Sequence, residues 1–200
     1  MSRFGSHAGL RAAGLAGVAG GLGWALLSVG AFAAGRGVSP LGYGFLDALT
    51  PVALALATAG VAGYRARSAS EWGALGRLGY VAVLAGLVGA CVGSAVYVVF
   101  GRLDGWTVSV WAYLLAVVGA PVLGVGLLRA GAAPRAGGAL LAGTPAGVAA
   151  SFGLAALVGD ETLVSVGLAV WLGGAIATLG GWVWSETKAE ATDSGSGLRR

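Results

Sequence analysis

Charged residues divide this 200-residue chain at nearly constant intervals. Arg11 and Arg36 enclose 24 uncharged residues; so do Arg77 and Arg102, Asp104 and Arg129, Arg135 and Asp160, and Glu161 and Glu186. An α-helix rises about 1.5 Å per residue and a bilayer's hydrocarbon core is about 30 Å thick, so about 20 apolar residues make one crossing. Each interval therefore holds one crossing and a few interfacial residues. The remaining interval, Arg36 to Arg65, holds 28 residues and contains one charge, Asp47. The spacing predicts an all-α fold, a six-transmembrane-helix bundle. Its spans lie at about 12–34, 44–64, 78–100, 107–128, 137–158 and 163–184.

Composition supports the same solvent. Hydrophobic residues make up 57% of the chain and charged ones 10%, where a soluble domain carries about 25% charged. A single Cys and a single His exclude a disulfide framework and a zinc cluster built from these residues.

Orientation follows from the basic residues, which favour the cytoplasmic side. With the N-terminus inside, the inner segments hold Arg3, Arg11, Arg65, Arg67, Arg77, Arg129, Arg135, Lys188, Arg199 and Arg200. The outer loops hold only Arg36 and Arg102. Both termini are expected in the cytoplasm, and the basic balance of the chain is a topology signal. No basic-aromatic stripe points to nucleic acid. "AFAAG" at 31–35 has the small residues of a signal cleavage site, but the apolar run before it exceeds a usual signal-peptide core, so the first helix is expected to stay. Ser68 and Glu71 have capping-box spacing that would start the third helix early, with Trp72 at headgroup level. Residues 185–200 read as a disordered cytoplasmic tail, polar and rich in Gly and Ser.

Lipid is as apolar as leucine, so close backbone approach, rather than burial alone, must hold such helices together. Small residues recur at helical steps: Ala82, Gly86, Ala90 and Ser94; Ala139, Gly143, Gly147, Ser151 and Ala155; Gly167, Gly174 and Gly181; and Ala169, Gly173, Ala177 and Gly181. Gly14, Gly17, Gly20 and Gly21 enrich the first span. These ribbons predict a tight bundle. They serve static packing, the sliding surfaces of a transporter, or the docking of a membrane partner or second copy. Pro121 and Pro145 interrupt spans, and Thr144 carries a hydroxyl able to satisfy a carbonyl that Pro145 frees. Ser28, Thr58, Cys91, Ser94, Ser151, Ser165 and Thr178 read as neutral helix glue.

Asp47, Thr50 and Pro51 form the candidate polar or ion site. In a continuous helix Pro51 lacks the amide that would reach the Asp47 carbonyl, leaving two oxygens together near a helix break. The opposing reading makes Asp47 an ordinary helix-start acid, like Asp104 and the Asp160–Glu161 pair, with Arg36 or Arg102 as its ion-pair partner. A third arrangement has Thr50 capping a helix that begins at Pro51, with residues 41–50 a separate segment. No catalytic set, metal site or cofactor motif is present in sequence. An outward-facing hydrolase built on Asp47, Asp104, Asp160 and Glu161 is the one enzymatic alternative.

The chain resembles small, uncharacterised Ala/Gly-rich polytopic membrane proteins of high-GC prokaryotes. That resemblance is compositional, covers the spans loosely and transfers no functional residue. The expectation is a multi-pass cell-membrane protein whose partner is the lipid bilayer. It would act in small-molecule or ion transport or, alternatively, as an accessory subunit packing on a partner through its Gly/Ala ribbons.

Overall fold

The computed structural model describes residues 7–196 except 69, 71 and 133. Within them the chain is all helical: α1 (His7–Gly35), α2 (Tyr43–Ser68), α3 (Ala74–Phe100), α4 (Leu103–Ala130), α5 (Arg135–Ala142), α6 (Thr144–Val158) and α7 (Thr162–Ser196). Five helices are long and apolar enough to cross a membrane: α1, α2, α3, α4 and the Thr162–Glu190 part of α7. A sixth crossing exists only if α5 and α6, bent by 54° at their junction, count as one span. The span expected at 137–158, interrupted by Pro145, is thus two helices. Pro145 has no amide for the Leu141 carbonyl; the Thr144 hydroxyl donates to that carbonyl instead, at 2.7 Å. The indole of Trp171 donates to the neighbouring Leu140 carbonyl at 2.8 Å, so the break leaves both oxygens satisfied.

Large apolar side chains are exposed on α1, α2, α3, α4, α6 and α7. In α1 only 22% of the most apolar stretch is buried inside the bundle, against 50% in α7. Leu26, Leu78, Trp111, Val118 and Leu157 point outward. So much exposed apolar area suits a bilayer and not water, consistent with a membrane protein.

Glycine sets the packing inside. α1 lies between α2 and α7, and α3 lies against α4. A Cβ at Gly14 would sit 2.7 Å from the Trp184 amide nitrogen, and one at Gly86 would sit 2.5 Å from that of Ala116. Backbones in van der Waals contact are the attraction available between helices in lipid. α7 is the central element, touching α1, α2, α5 and α6. On α7 the intimate contacts fall at Gly173, against Gly21, and at Gly180, against Gly14. Of the two expected ribbons on α7, the one through Gly173 and Ala177 is thus packed, while on the other Gly167 meets Ser151, Gly174 meets nothing within 4 Å and Gly181 only Val18 at 3.8 Å. The ribbon at 139–155 is likewise interrupted, because the bend turns Ala139 outward. Its lower half does pack: Gly147 faces the Trp171 ring, and Ser151 is buried against Gly167.

Three further expectations change. α7 continues to Ser196 rather than stopping at 184, through a run rich in the helix formers Ala, Glu and Lys. Arg67 ties its Glu190 to α2. Residues 197–200, like Glu71 of the supposed capping box, lie outside the described residues. α3 starts after Gly73 with no side-chain cap. Ser68 instead ends α2, donating to the Tyr64 carbonyl at 2.8 Å and accepting from the Trp72 indole at 2.9 Å. Trp72 is only 3% exposed, packed between Tyr64 and Tyr80 rather than displayed at the headgroups.

Candidate functional site

Antiparallel packing of α1 with α2 and α7, and of α3 with α4, sorts the charges to two ends. One end collects Arg11, Arg65, Arg67, Arg77, Arg129, Arg135 and Lys188. The other holds Arg36, Asp47, Arg102, Asp104, Asp160 and Glu161. We call these the basic and acidic ends.

At the acidic end two cavities adjoin, sharing Ser28, Asp47, Thr50 and Ser165 as walls. The entrance cavity, about 380 Å³, is flanked by Phe32, Arg36, Tyr43, Asp160 and Thr162. The inner cavity, about 190 Å³, reaches Trp24, Ser94, Tyr97, Trp106, Ser109 and Tyr113 between α1, α2, α3, α4 and α7. Asp47 and Thr50 line both. Pro51 does not line either; its carbonyl accepts the Cys91 thiol at 3.3 Å, joining α2 to α3.

α2 is continuous from Tyr43 through Pro51. A helix beginning at Pro51 is therefore excluded, and Thr50 is no cap: its hydroxyl points back to the Leu46 carbonyl at 3.5 Å. Asp47 sits within the first turns of α2, half-buried. Both cationic partners considered for it are engaged elsewhere. Arg36 pairs with Asp160 at 2.5 Å and stacks on Phe32 at 4.3 Å. Arg102 pairs with Asp104 at 3.0 Å. Among the described residues no ion pair or hydrogen bond engages the Asp47 carboxylate.

Asp160 shows the contrasting treatment of a carboxylate. It receives the Thr162 hydroxyl at 2.5 Å and the Thr162 amide at 2.9 Å, capping the start of α7, and also holds Arg36. The Thr162 hydroxyl first, then Arg36 and the Thr162 amide, hold its carboxyl below the usual carboxylate range.

The hydroxyls around Asp47 are arranged as acceptors. Ser28 donates to the Trp24 carbonyl at 2.9 Å and Ser165 to the Thr162 carbonyl at 2.8 Å, so their lone pairs are left for other partners. Ser94 and Ser109 share a hydrogen bond of 3.0 Å across α3 and α4. Tyr113 is placed edge-on to Trp24, centroids 5.3 Å apart, and its buried hydroxyl has no hydrogen-bond partner among the described residues.

Sequence reasoning singled out Asp47 and Thr50 but left Ser28, Ser94 and Ser165 as helix glue and passed over Tyr113, Trp24 and Ser109. A signal was present: Ser28, Asp47, Thr50, Ser94, Ser109 and Ser165 all fall within about two or three turns of one end of their helices. Thr58, Ser151 and Thr178 make the same bond to a carbonyl one turn back but line neither cavity. Gly86, Ala90, Gly143, Gly147 and Ser151 lie on packed faces, away from the Asp47 carboxylate; of these only Ala90 also borders the inner cavity. No family model, no curated protein and no solved structure matches this chain.

Proposed function

We propose that the chain is a multi-pass protein of the cell membrane that passes or binds a small solute through a vestibule at its acidic end. On this reading the bent α5–α6 pair serves as one of six spans, the acidic end faces outward, and both termini are cytoplasmic. The charge sorting supports that orientation, because basic residues concentrate on cytoplasmic segments. The observation that carries the function is Asp47: a half-buried carboxylate lining two adjoining cavities with no ion-pair partner among the described residues, Arg36 of the entrance cavity being paired with Asp160. Ionisable groups in a membrane bundle are costly, and they mark solute and ion paths when they face a cavity.

The accessory-subunit reading is weaker. Its glycine faces are engaged within the monomer, at Gly14, Gly21, Gly86 and Gly147. An enzyme is weaker still, since the vestibule brings Asp47 and Asp160 to one wall but pairs Asp160 with Arg36. The test is solute flux in proteoliposomes made with the wild type and with Asp47→Asn. Loss of flux in the variant, with folding unchanged, supports the vestibule as the path. Equal flux in both removes Asp47 from it.

A further inference from the structure

The inner cavity has a chemical character of its own. Asp47 is the one charged residue in its wall. Four of its fourteen lining residues are aromatic, while Phe, Trp and Tyr make up 8% of the chain, so the enrichment is local. Trp and Tyr do gather at membrane interfaces, and Trp106, 55% exposed, fits that role too. Trp24 does not: it is 6% exposed and packs on Tyr113, whose hydroxyl is buried. These two rings belong to the cavity and not to an interfacial belt.

We propose that the inner cavity takes a compact organic cation, a substituted ammonium, with Asp47 as counter-charge and the rings of Trp24, Tyr97, Trp106 and Tyr113 as its wall. The proposal rests on the vestibule reading and deepens it by naming the solute class. Aromatic faces carry negative quadrupole density and attract cations, contributing about 0.5–2 kcal/mol per contact as the cation sheds water. A hard divalent metal is a poor fit. It takes about six oxygen ligands or more and favours carboxylates, and no group of three His, Cys, Asp or Glu side chains exists among the described residues. An anion meets no cation in this wall among the described residues, and a neutral solute gains a hydrogen bond to Asp47 but no counter-charge. Arg36 at the entrance does not repel a cation strongly, because Asp160 neutralises it. The volume, about 190 Å³, limits the ligand; a cavity of about 150 Å³ already accepts benzene. The partnerless Tyr113 hydroxyl adds selectivity: it can accept a hydrogen bond from an N–H of a primary ammonium, which a quaternary ammonium lacks.

The experiment is calorimetric titration of the full chain in lipid nanodiscs with tetramethylammonium, ethylammonium, tert-butanol, acetate and sodium. Both ammonium ions should bind at one saturable site, with tert-butanol, acetate and sodium about tenfold weaker or worse. Asp47→Asn should weaken both ammonium ions by about tenfold or more, while Asp47→Glu keeps binding within about threefold. Tyr113→Phe should weaken ethylammonium and leave tetramethylammonium unchanged, a split that general misfolding would not produce. Tert-butanol, acetate or sodium binding as tightly as tetramethylammonium overturns the assignment, as does Asp47-independent binding or none. The vestibule reading itself fails separately, if the Asp47→Cys variant does not react with an aqueous thiol reagent. A reactive Cys variant with no ammonium binding would sink the solute class alone.

Discussion

The surroundings of Trp72 at the basic end and of Asp47 at the acidic end treat similar residue types differently. At the basic end most aromatic and charged groups are packed on one another, although Arg65 Nη1 and the Trp184 indole N–H are buried without a hydrogen-bond partner among the described residues. Trp72 is packed between Tyr64 and Tyr80, Arg65 stacks on Trp72 at 4.7 Å, and Glu190 holds both Arg67 and His7. At the acidic end, Trp106 stands more than half exposed, the Tyr113 hydroxyl has no partner among the described residues, and Asp47 borders two cavities without a counter-ion. Satisfied polar and aromatic groups rigidify a structure; unsatisfied ones are retained where something else must bind. On the proposed vestibule reading, the basic end contributes mainly stability and the cavities around Asp47 mainly solute contact.

The largest expected effect breaks the comparison at its aromatic residues. Trp72→Ala should cost about 3–5 kcal/mol, the usual loss for a fully packed aromatic, measured as a lowered midpoint in reversible detergent unfolding. Trp106→Leu should stay within about 0.5 kcal/mol of the wild type yet weaken ammonium binding. Equal destabilisation by the two would erase the division of labour. Next come the seams. Gly86→Ala places a methyl 2.5 Å from the Ala116 nitrogen and should cost about 1–3 kcal/mol by overpacking. Gly174→Ala points into open space and should be neutral or slightly stabilising, since Ala is the better helix former by about 1 kcal/mol. A destabilising Gly174→Ala would mean that Gly174 lies on a packed face of α7, and a neutral Gly86→Ala that the α3–α4 seam is not held by close backbone contact.

The charge spacing made the helices legible from sequence, because lipid tolerates so few charges that their positions bound every apolar run. Thr144 and Pro145 likewise announced a hydroxyl-satisfied break, though not a bend of 54°. Three things were not legible. The face on which a glycine packs depends on helix rotation, which an Ala/Gly/Val sequence leaves open, so α7 offered two ribbons and only the structure shows that Gly173 packs and Gly174 does not. The Arg36–Asp160 pair joins residues 124 positions apart, and nothing local selects Asp160 over Asp47. Tyr113 is an ordinary aromatic until the neighbouring helices leave its hydroxyl buried and partnerless.

The smallest expected effect concerns acid. The Asp160 carboxyl is held below its ordinary value by Thr162 and Arg36. Its contribution to stability is therefore full above about pH 4, the unfolded carboxylate range, and is lost as pH falls through the lower folded value. Asp160→Asn should flatten that acid-side fall in a pH series of unfolding midpoints, and Asp104→Asn, in an exposed pair of sequence neighbours, should change it less. An unchanged acid limb in Asp160→Asn would show that this pair does not hold α1 to α7.

The central claim is that water reaches Asp47 from the acidic end and that this end lies outside the cell. It is tested most directly by a membrane-impermeant maleimide on intact cells carrying Asp47→Cys in a Cys91→Ala background, with Arg129→Cys at the basic end as control. The account predicts labelling of the Asp47→Cys chain from outside, and labelling of the Arg129→Cys chain only after permeabilisation. Labelling in the reverse order, or an Asp47→Cys chain inert on both sides, would contradict it.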